Sequence, residues 1–336
     1  MSSPAPTAST SVSSTAPRQR PRALILTACQ TDDVSLISQA LSLASSPNSR
    51  DNAPELLSRA VTQSIRRNAT NVLTYVLDHG AEVPAYSTLN LEDHCRAIFE
   101  ILVAHGWDIN ARRPGDRPLL WEVVGDGDLV AWCLDHGATA IPSDLGLASD
   151  DERRKDERGC PPLLEVAASQ STVATFELLR SKGAQLGRRT LHFAARAAIK
   201  SGDGEGEQPK MPDKDRAKLH SERMAVVVHL VDVLGLDPNA LDQPAGWSLG
   251  NHWGTPLCYV AHSNPNWDCS DVVTFLLQKG ADPGLVTDPA GDDAMELARR
   301  SKNQRFLDLV EDWKANQVER KPGDAEPGSE VSVKGN

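Results

Sequence analysis

The sequence predicts an all-α fold of stacked helix-turn-helix pairs, and three observations predict it. The pentapeptide Leu-Asp-His-Gly-Ala occurs at 77–81 and again at 134–138, each time closing an apolar stretch. The same slot recurs in looser form as Val-Ala-His-Gly-Trp at 103–107, Arg-Ser-Lys-Gly-Ala at 180–184, Asp-Val-Leu-Gly-Leu at 232–236 and Leu-Gln-Lys-Gly-Ala at 277–281. Ahead of the glycines at 80, 137, 183, 235 and 280, the apolar residues fall at helical spacing. Gly adopts the left-handed conformation that ends a helix without the steric cost of a Cβ, so Gly80, Gly106, Gly137, Gly183, Gly235 and Gly280 each mark a helix end.

Taken along the chain, residues 23–44 read as a degenerate opening pair, with Thr31-Asp-Asp between two helices. A shortened first helix at 91–97 accounts for the interval of 26 residues between Gly80 and Gly106. The later intervals are 31, 46, 52 and 45 residues, which implies insertions. These are placed in the loop 139–159, between paired helices at 201–222, and in the loop 241–253. Helix starts precede the glycine-terminated helices by one further helix. The clearest is Gly254-Thr-Pro-Leu-Cys-Tyr-Val-Ala, where Thr255 can cap and Pro256 occupies the first turn, at which a missing N–H costs nothing. Related segments begin at Arg117, Cys160 and Arg189. A closing pair spans 292–314, giving seven to eight pairs over an ordered part of 23–316. Residues 1–22 are almost entirely Ser, Thr, Ala and Pro, and 317–336 lack a periodic apolar pattern, so both ends are predicted as disordered tails. The first also loosely fits the composition of a transit peptide.

These residues resemble the ankyrin-repeat family: its Thr-Pro-Leu-His-x-Ala-Ala helix start is matched at 255–261 and more loosely at 190–195, and its Leu-Leu-x-x-Gly-Ala-Asp helix end at 276–282. Only the interval of 31 lies near the family period of about 33 residues. The resemblance covers about 23–314 and implies that the second helix of each pair lies in a continuous core, while loop tips and first helices line an open concave surface. It also implies that His192, at the consensus His, ties adjacent loops together, with Cys258 as its packed counterpart in a later repeat. His79, His105 and His136 stand one residue before a marker glycine, where a polar side chain can bond the last helix carbonyls.

Forty-six acidic residues against 35 basic ones give a formal charge of −11, which repels phosphate backbones and anionic surfaces. Direct nucleic-acid or membrane binding is therefore not expected. No apolar run approaches the roughly 20 residues that span a bilayer, and the N-terminus lacks a secretory apolar centre. An intracellular protein, cytoplasmic or nuclear, is expected. The six cysteines include no CxxC pair and read as reduced thiols.

No nucleotide-binding loop, nucleophile elbow or HExxH motif is present. His252, Cys258, His262 and Cys269 lie within 18 residues but match no familiar zinc spacing, and the adjacent His94 and Cys95 diverge by about 100° on a helix. No cofactor, metal or catalytic set is predicted. Seven of the fifteen aromatics are Trp. Trp121 and Trp132 read as core. Trp247, Trp253 and Trp267 fall in polar loop sequence, where they either pack the inserted loop or anchor a partner with large apolar area at low entropy cost. With Trp107, Arg112 and Arg113 they form the candidate partner-binding set. The function predicted is a monomeric scaffold or adaptor that binds a protein through its loop-and-helix surface. The alternatives are a transcriptional coregulator acting through a DNA-bound partner and an enzyme whose site would need perturbed polar groups converging in a pocket.

Overall fold

The structure is a computed structural model and describes residues 20–45, 52–83, 95–142, 145–146, 149, 152, 158–200, 212–242, 254–287 and 292–319. Among them there are helices and no strands; one isolated antiparallel bridge joins Lys200 and Asp268. The chain divides into two compact units, Met1–Arg113 and Pro114–Asn336.

The first unit contains α1 (Pro21–Thr31), α2 (Val34–Ala44), α3 (Ala53–Arg67), α4 (Thr70–Asp78) and α5 (Arg96–Ala104). The expected opening pair is present: α1 ends at Asp32, which is left-handed at φ 51°, and Asp33 starts α2 by accepting the Ser35 N–H at 2.8 Å. Asp32 in turn accepts from the N–H of Val72 at 2.9 Å and the side chain of Asn71, which ties this turn to the start of α4. The expected helix at 91–97 lies outside the described residues up to 94; Arg96 and Ala97 open α5, which is the glycine-terminated helix of its pair.

The second unit contains α6 (Leu119–Glu122), α7 (Gly127–Asp135), α8 (Leu163–Gln170), α9 (Val173–Ser181), α10 (Thr190–Ala197), α11 (Asp213–Val228), α12 (Pro256–Ala261), α13 (Ser270–Gln278), α14 (Ala294–Arg300) and α15 (Gln304–Glu319). The first helices α6, α8, α10, α12 and α14 touch one another in that order, and so do the second helices α7, α9, α11, α13 and α15. Each helix thus packs on the matching helix of the next pair. Residues that pattern predicts as apolar stripes fill this packing, with Trp121, Phe176 and Phe306 fully buried. Side-chain caps at Asp126, Thr172, Thr255 and Asp293 begin α7, α9, α12 and α14.

Two boundaries differ from expectation. The insertion placed at 201–222 is helical from Asp213 onward, because its charges fall three or four apart: Arg216 reaches Asp213 and Lys218 reaches Glu222, and Asp213 and Asp215 complement the helix N-terminus. Residues 201–211 lie outside the described part, as do 243–253 of the loop insertion and much of 143–157. At the C-terminus α15 runs to Glu319, past the predicted limit of 316. Helix α11 continues into a wider π turn at His229–Val233, where the Leu234 N–H bonds the His229 carbonyl five residues back, and Val233 at its end is 68% exposed.

Candidate binding surface

Each pair closes as the sequence implies. The six marker glycines all have positive φ, from 69° at Gly235 to 93° at Gly183. At His79, His105 and His136 the ring Nδ1 lies 2.7, 2.7 and 2.8 Å from the carbonyl four residues earlier, so each imidazole donates to a carbonyl the ending helix leaves free.

In the second unit the loops that precede the first helices lie against one another. A Cβ on Gly159 would fall 1.9 Å from the Gly115 carbonyl oxygen, so only glycine fits that approach, and Arg117 Nε donates to the Gly159 carbonyl at 3.2 Å. The Trp121 indole N–H donates to the Pro161 carbonyl at 2.7 Å. Glu165, 2% exposed, accepts from the Arg189 N–H at 2.8 Å and its guanidinium at 3.0 Å. Arg189 also lies over the Phe193 ring. Fully buried His192 places Nε2 at 3.0 Å from the Ala240 carbonyl and 2.9 Å from that of Gly254. Both are acceptors, so the proton sits on Nε2; burial pushes the imidazole below its ordinary pKa, and Nδ1 has no partner. The ring ties adjacent loops, the role its motif position implies. Tyr259 meets His192 edge-on at 5.0 Å and donates its hydroxyl to Asp242 at 2.9 Å; burial, and after it the Asp242 charge, raises the phenol. Cys258 is buried and faces the Thr255 hydroxyl at 3.3 Å.

His192 Nδ1 apart, these polar groups bond one another and the backbone. They fix the loops relative to the helices and leave the side chains at the loop ends outside. Ile141 is 54% exposed, Leu186 43% and Val286 57%.

Of the predicted partner-binding residues, Trp107, Arg112 and Arg113 lie in the first unit and Trp267 in the second. Trp107 is a correction: it is 6% exposed and stacks on Phe99 at 6.2 Å. It occupies the position just after a marker glycine, filled elsewhere by the buried alanines 138, 184 and 281, so its side chain is directed inward. Arg112 is half-buried and Arg113 exposed. Trp267 is half-buried in the turn before Asp268, and its backbone N–H donates to the Asn264 carbonyl at 3.0 Å. Trp247 and Trp253 lie outside the described residues. Trp121 and Trp132 are core, at 0% and 4% exposure.

All six cysteines are free. Burial pushes the thiols of Cys29 and Cys269 up to about 11 and that of Cys133 to about 12, which disfavours their thiolate forms. His262 faces the Ser301 hydroxyl, His252 and His94 lie outside the described residues, and among the described residues no three or more His, Cys, Asp or Glu are arranged to hold a metal ion. No described helix is long and apolar enough to cross a membrane. No protein-family model and no curated protein sequence matches this chain at a significant level.

Proposed function

We propose that the chain is an ankyrin-type repeat scaffold that acts by binding a protein partner rather than by catalysis, through the loop ends and first helices of the second unit. The observation that carries this reading is the repetition itself. Six helices close on a positive-φ glycine at the same slot, and in the second unit each pair packs helix for helix on the next. Such an array has a contiguous row of loop ends but no single cleft at a chain crossover, so recognition over an extended surface is the use it suits. The buried polar groups support it as well: Glu165, His192 and Asp242 are engaged in holding loops together rather than turned toward solvent.

The test is affinity capture from a cell extract with the full chain and with a Trp247→Ala, Trp253→Ala variant, after circular dichroism shows equal helicity. A specific protein retained by the wild type and lost from the variant supports a scaffold that uses the inserted loop. Equal capture makes these tryptophans packing residues. Recovery of no specific protein by either chain counts against the binding reading.

A further inference from the structure

Residues 180–200 carry six basic side chains, Arg180, Lys182, Arg188, Arg189, Arg196 and Lys200, and no carboxylate, in a chain whose formal charge is −11. Three of the six are neutralised by acids that lie outside this stretch. Arg180 is held by Glu177 at 2.7 Å, Arg189 by Glu165 at 3.0 Å, and Lys200 by Asp271 at 2.8 Å. Lys182 and Arg188 are exposed and have no ion-pair partner among the described residues. They bracket the loop after α9, and Leu186, 43% exposed, stands between them. The loop of the preceding pair adds Ile141, whose Cδ1 lies 4.0 Å from where a Cβ of Gly183 would be. Ile141 is itself 54% exposed. Each of two successive pairs thus exposes an aliphatic side chain, Ile141 beside a left-handed glycine and Leu186 three residues after that glycine, along with two cations that have no ion-pair partner among the described residues.

We propose that this patch of Ile141, Lys182, Leu186 and Arg188 docks an acidic peptide segment of the partner protein, one that carries an aliphatic or aromatic anchor between its carboxylates. The inference rests on the scaffold reading and specifies the chemistry of its partner. Charge complementarity selects this occupant: a surface of opposite sign to the rest of the chain attracts an acidic segment that the remaining surface repels, which orients the approach. The exposed aliphatic pair gives the anchor a contact that a purely ionic surface lacks. A nucleic acid fits less well, because its affinity comes from neutralising many phosphates, and two cations in a strongly acidic chain supply few such contacts.

The experiment titrates the full chain with a short fluorescein-labelled peptide of Glu and Asp residues carrying two central leucines. A peptide with Gln and Asn in place of the acids and a single-stranded oligonucleotide serve as comparisons. The acidic peptide is expected to bind with an affinity that falls as salt is raised. Lys182→Glu with Arg188→Glu should weaken it about tenfold or more, the Gln pair about fivefold, and Leu186→Ser about threefold. These positions are exposed, and unchanged circular dichroism checks the fold of each variant. An affinity unaffected by the charge reversals, no binding of the acidic peptide, or equal binding of the oligonucleotide overturns the proposal. If a partner is captured equally by the wild type and the charge-reversed chain, this patch is excluded while the scaffold reading stands. If the chain captures nothing and the peptide also fails to bind, both fall.

Discussion

His105 faces a hydrogen-bond acceptor with each of its ring nitrogens. Nδ1 lies 2.7 Å from the Ile101 carbonyl, and Nε2 reaches the Asp78 carboxylate at 3.1 Å, across from the end of α5 to the end of α4. Two acceptors require two ring protons, so the geometry selects the imidazolium. The Ile101 carbonyl and then Asp78 hold His105 above its ordinary pKa, more than partial burial lowers it. A raised native pKa means a contribution to stability that is complete below the unfolded value of about 6.5 and fades as pH rises through the native value. The side chain of Asp78 is 60% exposed, so the contribution is modest. Asp78→Asn should lower the stability of the first unit by roughly 0.5 kcal/mol at pH 5.5 and leave it unchanged at pH 9, as read by urea denaturation at both pH values. An equal loss at both would show that the carboxylate acts without the imidazolium.

Gly254 and Gly280 share a positive φ, 80° and 89°, but not the same surroundings. A Cβ at 280 meets nothing within 4 Å, whereas one at 254 would fall 2.3 Å from the Thr287 Cβ. Gly280→Ala should therefore cost about 1–2 kcal/mol of backbone strain, and Gly254→Ala about 2–4 kcal/mol, since displacement of the neighbouring loop is added. Thermal denaturation of the two variants side by side measures the difference; equal losses would mean that the loop contact yields freely.

Tyr259→Phe takes a donor from the buried carboxylate of Asp242. The expected loss is about 1–3 kcal/mol, and Asp242→Asn in the same chain should recover part of it, because a neutral amide tolerates the missing donor better than a charge does. A double-mutant cycle with no coupling would dissociate the two side chains energetically.

Arg223 of α11 donates through both terminal nitrogens, at 2.7 Å each, to the carbonyls of Gln170 and Ser171 where α8 ends. Burial lowers the guanidinium from its ordinary pKa, a sign that its contacts are partly withdrawn from water. Arg223→Ala should destabilise the second unit by roughly 1–3 kcal/mol, and Arg223→Lys should recover little of this, because one ammonium does not reproduce the fork that spans two adjacent carbonyls. Full recovery by Lys would reduce the interaction to its charge.

Helix ends are the most legible feature in the sequence, because their signal is local: a left-handed residue at Gly80 or Gly280 and a carbonyl-binding His before Gly80, Gly106 and Gly137 need no long-range information. Helix starts with a capping hydroxyl, as at Thr255, are equally plain. Asp213–Glu222 reads as loop in the sequence because its helicity comes from charge spacing rather than an apolar stripe. Trp107 stands in the candidate binding set, yet its slot, filled by the buried alanines 138, 184 and 281 in three other pairs, points inward. The docking patch has a faint sequence signal, the carboxylate-free stretch from Arg180 to Lys200, which becomes meaningful only once its neutralised and unneutralised cations are told apart. Ile141 has none, since only the folded chain sets it against Gly183.

The π turn at His229–Val233 changes what the exposure of Val233 means. Val226, Val227 and Leu230 are buried, and an uninterrupted α-helix would carry the same stripe on to Val233. The wider turn admits one extra residue and rotates the end of the helix out of phase, so a valine that belongs by rhythm to the interior faces water. Its exposure thus follows from the change of pitch within the helix and not from a break in the apolar rhythm of the sequence.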